Sequence, residues 1–365
     1  MSRSKPPRPR SSGQASRWPL LLIVGAVLFL AIGLALGWLL FGRGQDGPQV
    51  ESATPAMSTI AAVAELLTVT PFETKPAATP AISTDTPTPA TTAPAATAAL
   101  LAPSGLRPPG LDDLLSRALD LVNQSRSEGG LAPVAWDDAA AQVAQAHAED
   151  MLQGEFFSHW NRDGYGPDHR AALDAGMTDA VFENIHSFWR RTSDDQPAPI
   201  EDWLQRVLDA HLSLMDSPGH RRNIMDPAHT HVGIGIAYRP EIGELRLVQE
   251  FVNRYVELDP LPAELPVGAD VEISGRLLDG ASDPLVNLAY EPFPQPLSLE
   301  QLAETGSYQR AAQFFSAPRM TVEGSRFSTR AILDYDGQPG LFHIWVFVTV
   351  QGEQVLAASP IIVVR

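Results

Sequence analysis

Hydrophobic residues recur at helical spacing from Leu111 through Leu114, Leu115, Ala118 and Val122, and the stripe stops at Gly129-Gly130. This predicts one amphipathic helix with a glycine end. After the short apolar stretch Leu131–Trp136, either Asp137 or Asp138 can cap a second helix running to about Gln153. Val143, His147 and Met151 form its inner face, and Gly154 is its stop. A third helix has the cleanest stripe, with Ile200, Trp203, Leu204, Val207, Leu208, His211, Leu214 and Met215 sharing one face before Ser217-Pro218-Gly219. From His231 to Tyr238 the period changes to two: Val232, Ile234, Ile236 and Tyr238 fall on one side, and Gly233, Gly235 and Ala237 on the other, where a helix can pack closely. Leu245–Val252 reads as the antiparallel partner across a turn near Gly243. Helices mixed with a small antiparallel sheet define an α+β layered domain over residues 111–258.

Beyond Pro260-Leu261-Pro262 the chain turns to alternating segments: Val271–Leu277, Leu285–Tyr290, Arg326–Leu333, Leu341–Val350 and Pro360–Val364. The turn pairs Asp279-Gly280, Asp336-Gly337 and Gln351-Gly352 separate several of them. Residues 262–365 therefore read as an immunoglobulin-like β-sandwich that folds independently, with one helix at most, near Leu297–Glu304. Trp345 and Phe347 read as core positions of that unit, with a partner-facing stripe as the alternative, and His343 on the same strand carries no assigned role.

The other end of the chain has a different character. Residues 18–41 carry no charged side chain and span about 36 Å as a helix, against a hydrocarbon core of about 30 Å. The run is longer than the apolar region of a cleaved signal peptide, and no small-x-small site follows it, so it reads as an uncleaved transmembrane helix. Arg3, Lys5, Arg8, Arg10 and Arg17 precede it and Arg43 alone lies just after it, which places residues 1–17 in the cytoplasm as a basic tail and the folded domains outside the cell membrane. Residues 42–110 are rich in Ala, Thr and Pro with little hydrophobic periodicity, the composition of a disordered stalk.

Composition narrows the chemistry. The net charge is -17, from 26 Lys+Arg against 43 Asp+Glu, and six of the basic residues lie ahead of the first acid, Asp46. A body that acidic repels phosphate backbones, so no nucleic acid is expected as a partner. With Cys 0, disulfides, thiol nucleophiles and Cys-ligated metals are excluded, and any ion must sit on His, carboxylate or carbonyl groups. Gly-x-Ser-x-Gly, His-Glu-x-x-His and Walker patterns are missing.

Several short motifs follow one another in the first domain: Leu121-Val122-Asn123-Gln124-Ser125-Arg126, Gly130 to Asp137, Ala146 to Met151, Phe156-Phe157-Ser158-His159, Glu183-Asn184-Ile185, Ser217 to Met225, and Val232-Gly233-Ile234-Gly235. In this order they resemble the SCP domain of the CAP superfamily, which takes in cysteine-rich secretory, venom-allergen and pathogenesis-related proteins. This version is similar to the cysteine-free bacterial branch. The resemblance implies an α-β-α sandwich with a cleft lined by two histidines and one or two acids, and by motif these are His159, Glu183 and His220. A second glutamate found in many animal members has Ser217 at its place, and the glycine usual before the Glu-Asn pair is Phe182.

Two imidazoles and a carboxylate are an ordinary ligand set for zinc or another divalent cation, with a water in the fourth position. The same three side chains can equally hydrogen-bond one another and shape a polar cleft without an ion. The sequence thus supports a membrane-anchored extracytoplasmic binding or recognition module for an envelope component, lipid or protein ligand, with a metal-assisted peptide or ester hydrolase as the alternative. The missing second glutamate favours binding. His147 and His211, on apolar helix faces, are expected as core histidines, and His169, His186, His229 and His231 carry no assigned role.

Overall fold

The structure, a computed structural model, describes residues 106–305, 307–308, 310, 313–316 and 319–365. The expected membrane span at residues 18–41 and most of the stalk lie outside the described residues. Among the described residues no helix is long and apolar enough to cross a membrane.

Three layers form the first half. Its sheet runs β1-β3-β4-β2, built from β1 (Ala135–Trp136), β2 (Ala180–Trp189), β3 (His231–Arg239) and β4 (Glu244–Asn253). On one face lie α1 (Leu111–Glu128) and, later in the chain, α4 (Trp203–Asp216). Leu114, Leu121, Val207 and Leu214 from these helices pack with Val232, Ile234, Ile236 and Phe251 of the sheet. On the other face lies α2 (Asp138–Gln153), which places Ala144, Ala148, Met151 and Leu152 against Ala237 and Val248. Of the two candidate caps, Asp137 serves, its carboxylate accepting from Ala140 N–H at 2.7 Å. The close approach expected at the small residues of β3 is present: a Cβ added at Gly233 would lie 2.0 Å from Ala141 N, and one at Gly235 2.2 Å from Gln145 N. Two short elements complete this half, α3 (Pro167–His169), which runs into a π-helical turn at Arg170–Asp174, and α5 (Pro218–Ile224).

Sequence periodicity gave no sign of β2. Its run Ala180–Trp189 carries Glu183, Asn184 and His186 in its middle, so apolar alternation is lost where the strand holds polar groups. Backbone pairing to β4, from Ala180 with Asn253 to Trp189 with Glu244, defines it instead.

The second half contains two sheets around one core. One runs β10-β11-β7-β5, and the other β6-β14-β12-β8-β9 with β13 also on β12. The strands are β5 (Val256–Leu258), β6 (Glu264–Leu265), β7 (Ala269–Leu277), β8 (Ala281–Glu291), β9 (Gln313–Ser316), β10 (Thr321–Glu323), β11 (Arg326–Leu333), β12 (Gly340–Val350), β13 (Glu353–Ala358) and β14 (Ile361–Val364). Ile273 and Phe327 from the first sheet meet Leu288, Phe342, Ile344 and Val346 from the second. The sequence groups β5 with the first domain, but its partner is β7, so the chain enters the second set of strands at Val256, ahead of the proline-rich stretch.

The two halves share a seam. A helix inserted in the second half, α6 (Leu299–Glu304), buries Leu302 completely among Ala148, Met151, Leu152 and Phe156. Hydrogen bonds reinforce it, with Ser359 N–H donating to Thr178 O at 2.9 Å and the Asn253 side-chain Nδ2 to Leu356 O at 2.9 Å. The described residues accordingly fall in one compact unit.

Candidate functional site

The three residues singled out by motif come from three different elements. His159 sits on the loop after α2, Glu183 in the middle of β2, and His220 on α5. All three line one cavity of about 660 Å³, together with Asn184, Tyr308 and Arg310. Tyr308 and Arg310 belong to the second half, which the sequence did not connect with this cleft.

Glu183 is the most constrained member, its side chain only 1% exposed. One oxygen meets His159 Nδ1 at 2.7 Å, and the other accepts from Arg170 of the π-helical turn at 2.5 Å. Arg170 also donates to His159 O at 2.8 Å and Tyr165 O at 3.1 Å, so one guanidinium fixes both the carboxylate and the loop that carries the histidine. Burial works against charge on Glu183, but Arg170, then His147 and His159, hold its carboxyl well below the usual carboxylate range. Opposite it on β4 stands Glu250, fully buried. Burial, reinforced by the charge on Glu183, pushes the Glu250 carboxyl well above that range. The sheet thus sets side by side two acids whose carboxyl groups are shifted in opposite directions, and the second acid of the region comes from β4 rather than from the Ser217 position.

His220 is placed by a polar ladder. Asn184 Nδ2 donates to His220 O at 3.2 Å, Asn223 Nδ2 donates to Asn184 Oδ1 at 3.1 Å, and His229 is hydrogen-bonded at both ring nitrogens, to Asn223 at 2.9 Å and Asn253 at 2.7 Å. Burial and the neighbouring His159 lower the pKa of His220. The core histidines behave as expected: His147 bonds Ser158 O at 2.9 Å with its ring pushed down by burial to about 3, and His211 meets Ser125 Oγ at 2.8 Å with its ring lowered by burial to about 4.

The arrangement does not fit an ion held by His159, Glu183 and His220 together. Both Glu183 oxygens are committed, one of them to a guanidinium that would repel a cation. Among the described residues, the group of three His or acid side chains whose ligand atoms lie within 4.8 Å of one another is a different one, which includes none of this trio. What remains free for recognition is the imidazole edge of His159, with 17% of its side chain exposed, and half-buried His220. Exposed Arg222 and half-buried Arg310 flank them.

A mixed α/β layer architecture with a cleft of two histidines and a buried glutamate defines a class, and the comparisons identify it. Residues 119–251 match the CAP family, described as the cysteine-rich secretory protein family. The chain is 34% identical over 118 residues to the uncharacterized membrane protein YlbC of Bacillus subtilis, covering 32% of this chain and 30% of that one. To the uncharacterized protein YkwD of the same organism it is 26% identical over 149 residues, covering 40% and 50%. The chain thus spans half or less of the length of these relatives. Among solved structures, an extracellular SCP-domain protein of Bacillus anthracis is 24% identical with a TM-score of 0.31, over 41% of this chain and 45% of that one. An outer surface protein of Borrelia burgdorferi is 16% identical with a TM-score of 0.32, over 41% and 98%.

Proposed function

We propose that this protein is a membrane-anchored, extracytoplasmic binding module whose CAP cleft takes a ligand bearing an anionic group, such as a lipid headgroup or another envelope component. The observation that carries this reading is the closed state of Glu183. A carboxylate tied to both Arg170 and His159 is not available to hold an ion or take a proton from water, which supports recognition over metal-assisted cleavage. Charge gives the ligand class. In a chain of net charge -17, the cavity is bordered by two cations, Arg222 and Arg310. Asp226, on the same border, is occupied in accepting from Ala228 N–H at 2.9 Å.

The test uses residues 89–365, vesicles with and without anionic lipid, and chromogenic ester and peptide reporters. Expected is retention on anionic vesicles only, reduced about tenfold or more in an Arg222→Ala, Arg310→Ala double variant, with no reporter cleaved. Retention unaffected by those substitutions removes the cleft from binding. Reporter cleavage that disappears in His159→Ala and His220→Ala replaces this reading with the hydrolase.

A further inference from the structure

A second histidine cluster lies beside the cleft, in the seam between the two halves, with Tyr308 common to both. His169, at the end of α3, reaches Glu291 Oε2 through its Nε2 at 2.9 Å. His343, on β12, reaches the same oxygen through its own Nε2, also at 2.9 Å. The ligand atoms of the three side chains lie within 4.8 Å of one another. Strand register explains the convergence within the second half: Glu291 pairs with Leu341, and His343 stands two residues further along the same face of the adjacent strand. The CAP half contributes the third member.

Behind the histidines stands a second carboxylate. Asp168, 1% exposed, has Oδ1 3.2 Å from His169 Nδ1 and Oδ2 3.5 Å from His343 Nδ1. Tyr308 donates its hydroxyl to Oδ1. Among the described residues, Asp168 Oδ2 and His343 Nδ1 have no hydrogen-bond partner, although both are buried. Two imidazoles that turn Nε2 toward one carboxylate and Nδ1 toward another have the layout of a zinc site, in which an outer carboxylate orients each ligating ring.

We propose that His169, His343 and Glu291 bind a zinc ion that joins the CAP domain to the C-terminal strands, with Asp168 as the outer partner of both imidazoles. Metal bonds of about 2.0–2.1 Å at tetrahedral angles set the donors about 3.3 Å apart, so the two 2.9 Å contacts need open by only a few tenths of an ångström. Nitrogen and oxygen donors without thiolate suit zinc, and the two carboxylates give a divalent cation countercharge. His169 Nδ1 lies 3.1 Å from Gly166 N and 3.2 Å from Asp168 Oδ1. Zinc at Nε2 places the ring proton on Nδ1, toward Asp168. His343 is fully buried and His169 1% exposed, while Glu291 keeps 22% of its side chain in solvent, which opens an entry path and a place for a water as fourth ligand. Because His169 adjoins Arg170, an ion here also steadies the residue that fixes Glu183 and His159 in the cleft.

The experiment titrates the full chain with zinc at pH 7.5 in competition with a chromophoric chelator, alongside Glu291→Gln, His343→Gln and the cleft double variant His159→Ala, His220→Ala. Expected are one ion per chain, affinity lowered about tenfold or more by Glu291→Gln and by His343→Gln, and affinity unchanged in the cleft variant. Cobalt substitution should give the strong visible absorption of four-coordinate Co(II) in the wild type and not in Glu291→Gln. Zinc should raise the melting temperature of the wild type and of the cleft variant, and raise that of Glu291→Gln less. If His343→Gln does not fold, Glu291→Gln decides, since it is isosteric and partly exposed. No binding by the folded wild type, equal binding by Glu291→Gln, or binding lost only in the cleft variant overturns the proposal.

Discussion

A carboxylate with 1% of its side chain in solvent is costly to keep charged, and for Glu183 the cost is offset chiefly by Arg170 at 2.5 Å. The guanidinium is itself only 5% exposed, so neither partner has water to fall back on. Replacing Arg170 with Gln leaves a buried charge unpaired and should lower stability by about 3–5 kcal/mol, measured by urea unfolding at pH 7. Adding Glu183→Gln to that variant should recover part of the loss, because removing both charges avoids the unpaired state. A single-variant loss under about 1 kcal/mol would show that the pair behaves as an exposed one. The motif that named Glu183 did not name Arg170, which lies in the run Pro167–Asp174, where nothing in the spacing marks it out. The same holds for Glu250, whose side chain sits beside Glu183 because β2 and β4 pair in that register.

Between strand and helix, the two glycines of β3 decide how close α2 can lie. Ala141 N and Gln145 N stand where a side chain would start, and backbone atoms cannot rotate aside as a side chain can. Gly235→Ala should therefore force α2 off the sheet and cost about 1–3 kcal/mol or more, read from the melting transition, with Gly233→Ala at least as severe. A neutral effect at either position would mean that the helix has room to shift. This contact was legible in the sequence because alternation along His231–Tyr238 put every small residue on one face. The helices α1, α2 and α4 were legible for the same kind of reason, as stripes ending in Gly or Pro-Gly. Strand β2 was not, since polar side chains interrupt its apolar pattern, and neither were short β6, β10 and β13, which hold their places through pairing with longer neighbours.

Across the described residues as a whole, what the sequence could not convey is convergence. His159, Glu183 and His220 were named from family motifs, and their shared cavity depends on three elements meeting at one edge of the sheet. The seam cluster had no such guide: His169, Glu291 and His343 are separated by long stretches of chain, and each alone reads as an ordinary turn or strand residue. The proline-rich junction suggested two independent domains, yet Leu302 from the second half completes the core under α2, fully buried against Met151 and Leu152. A side chain that fills another domain's core couples the two unfolding reactions. Leu302→Ala should cost about 2–5 kcal/mol, and it should lower a single melting transition shared by both halves. Hydrogen exchange should show the loss of protection in α2 as well as in β8 and β12. Two separate transitions, with the CAP half unmoved by the substitution, would mean that the halves fold independently and that Leu302 only rests on a finished surface.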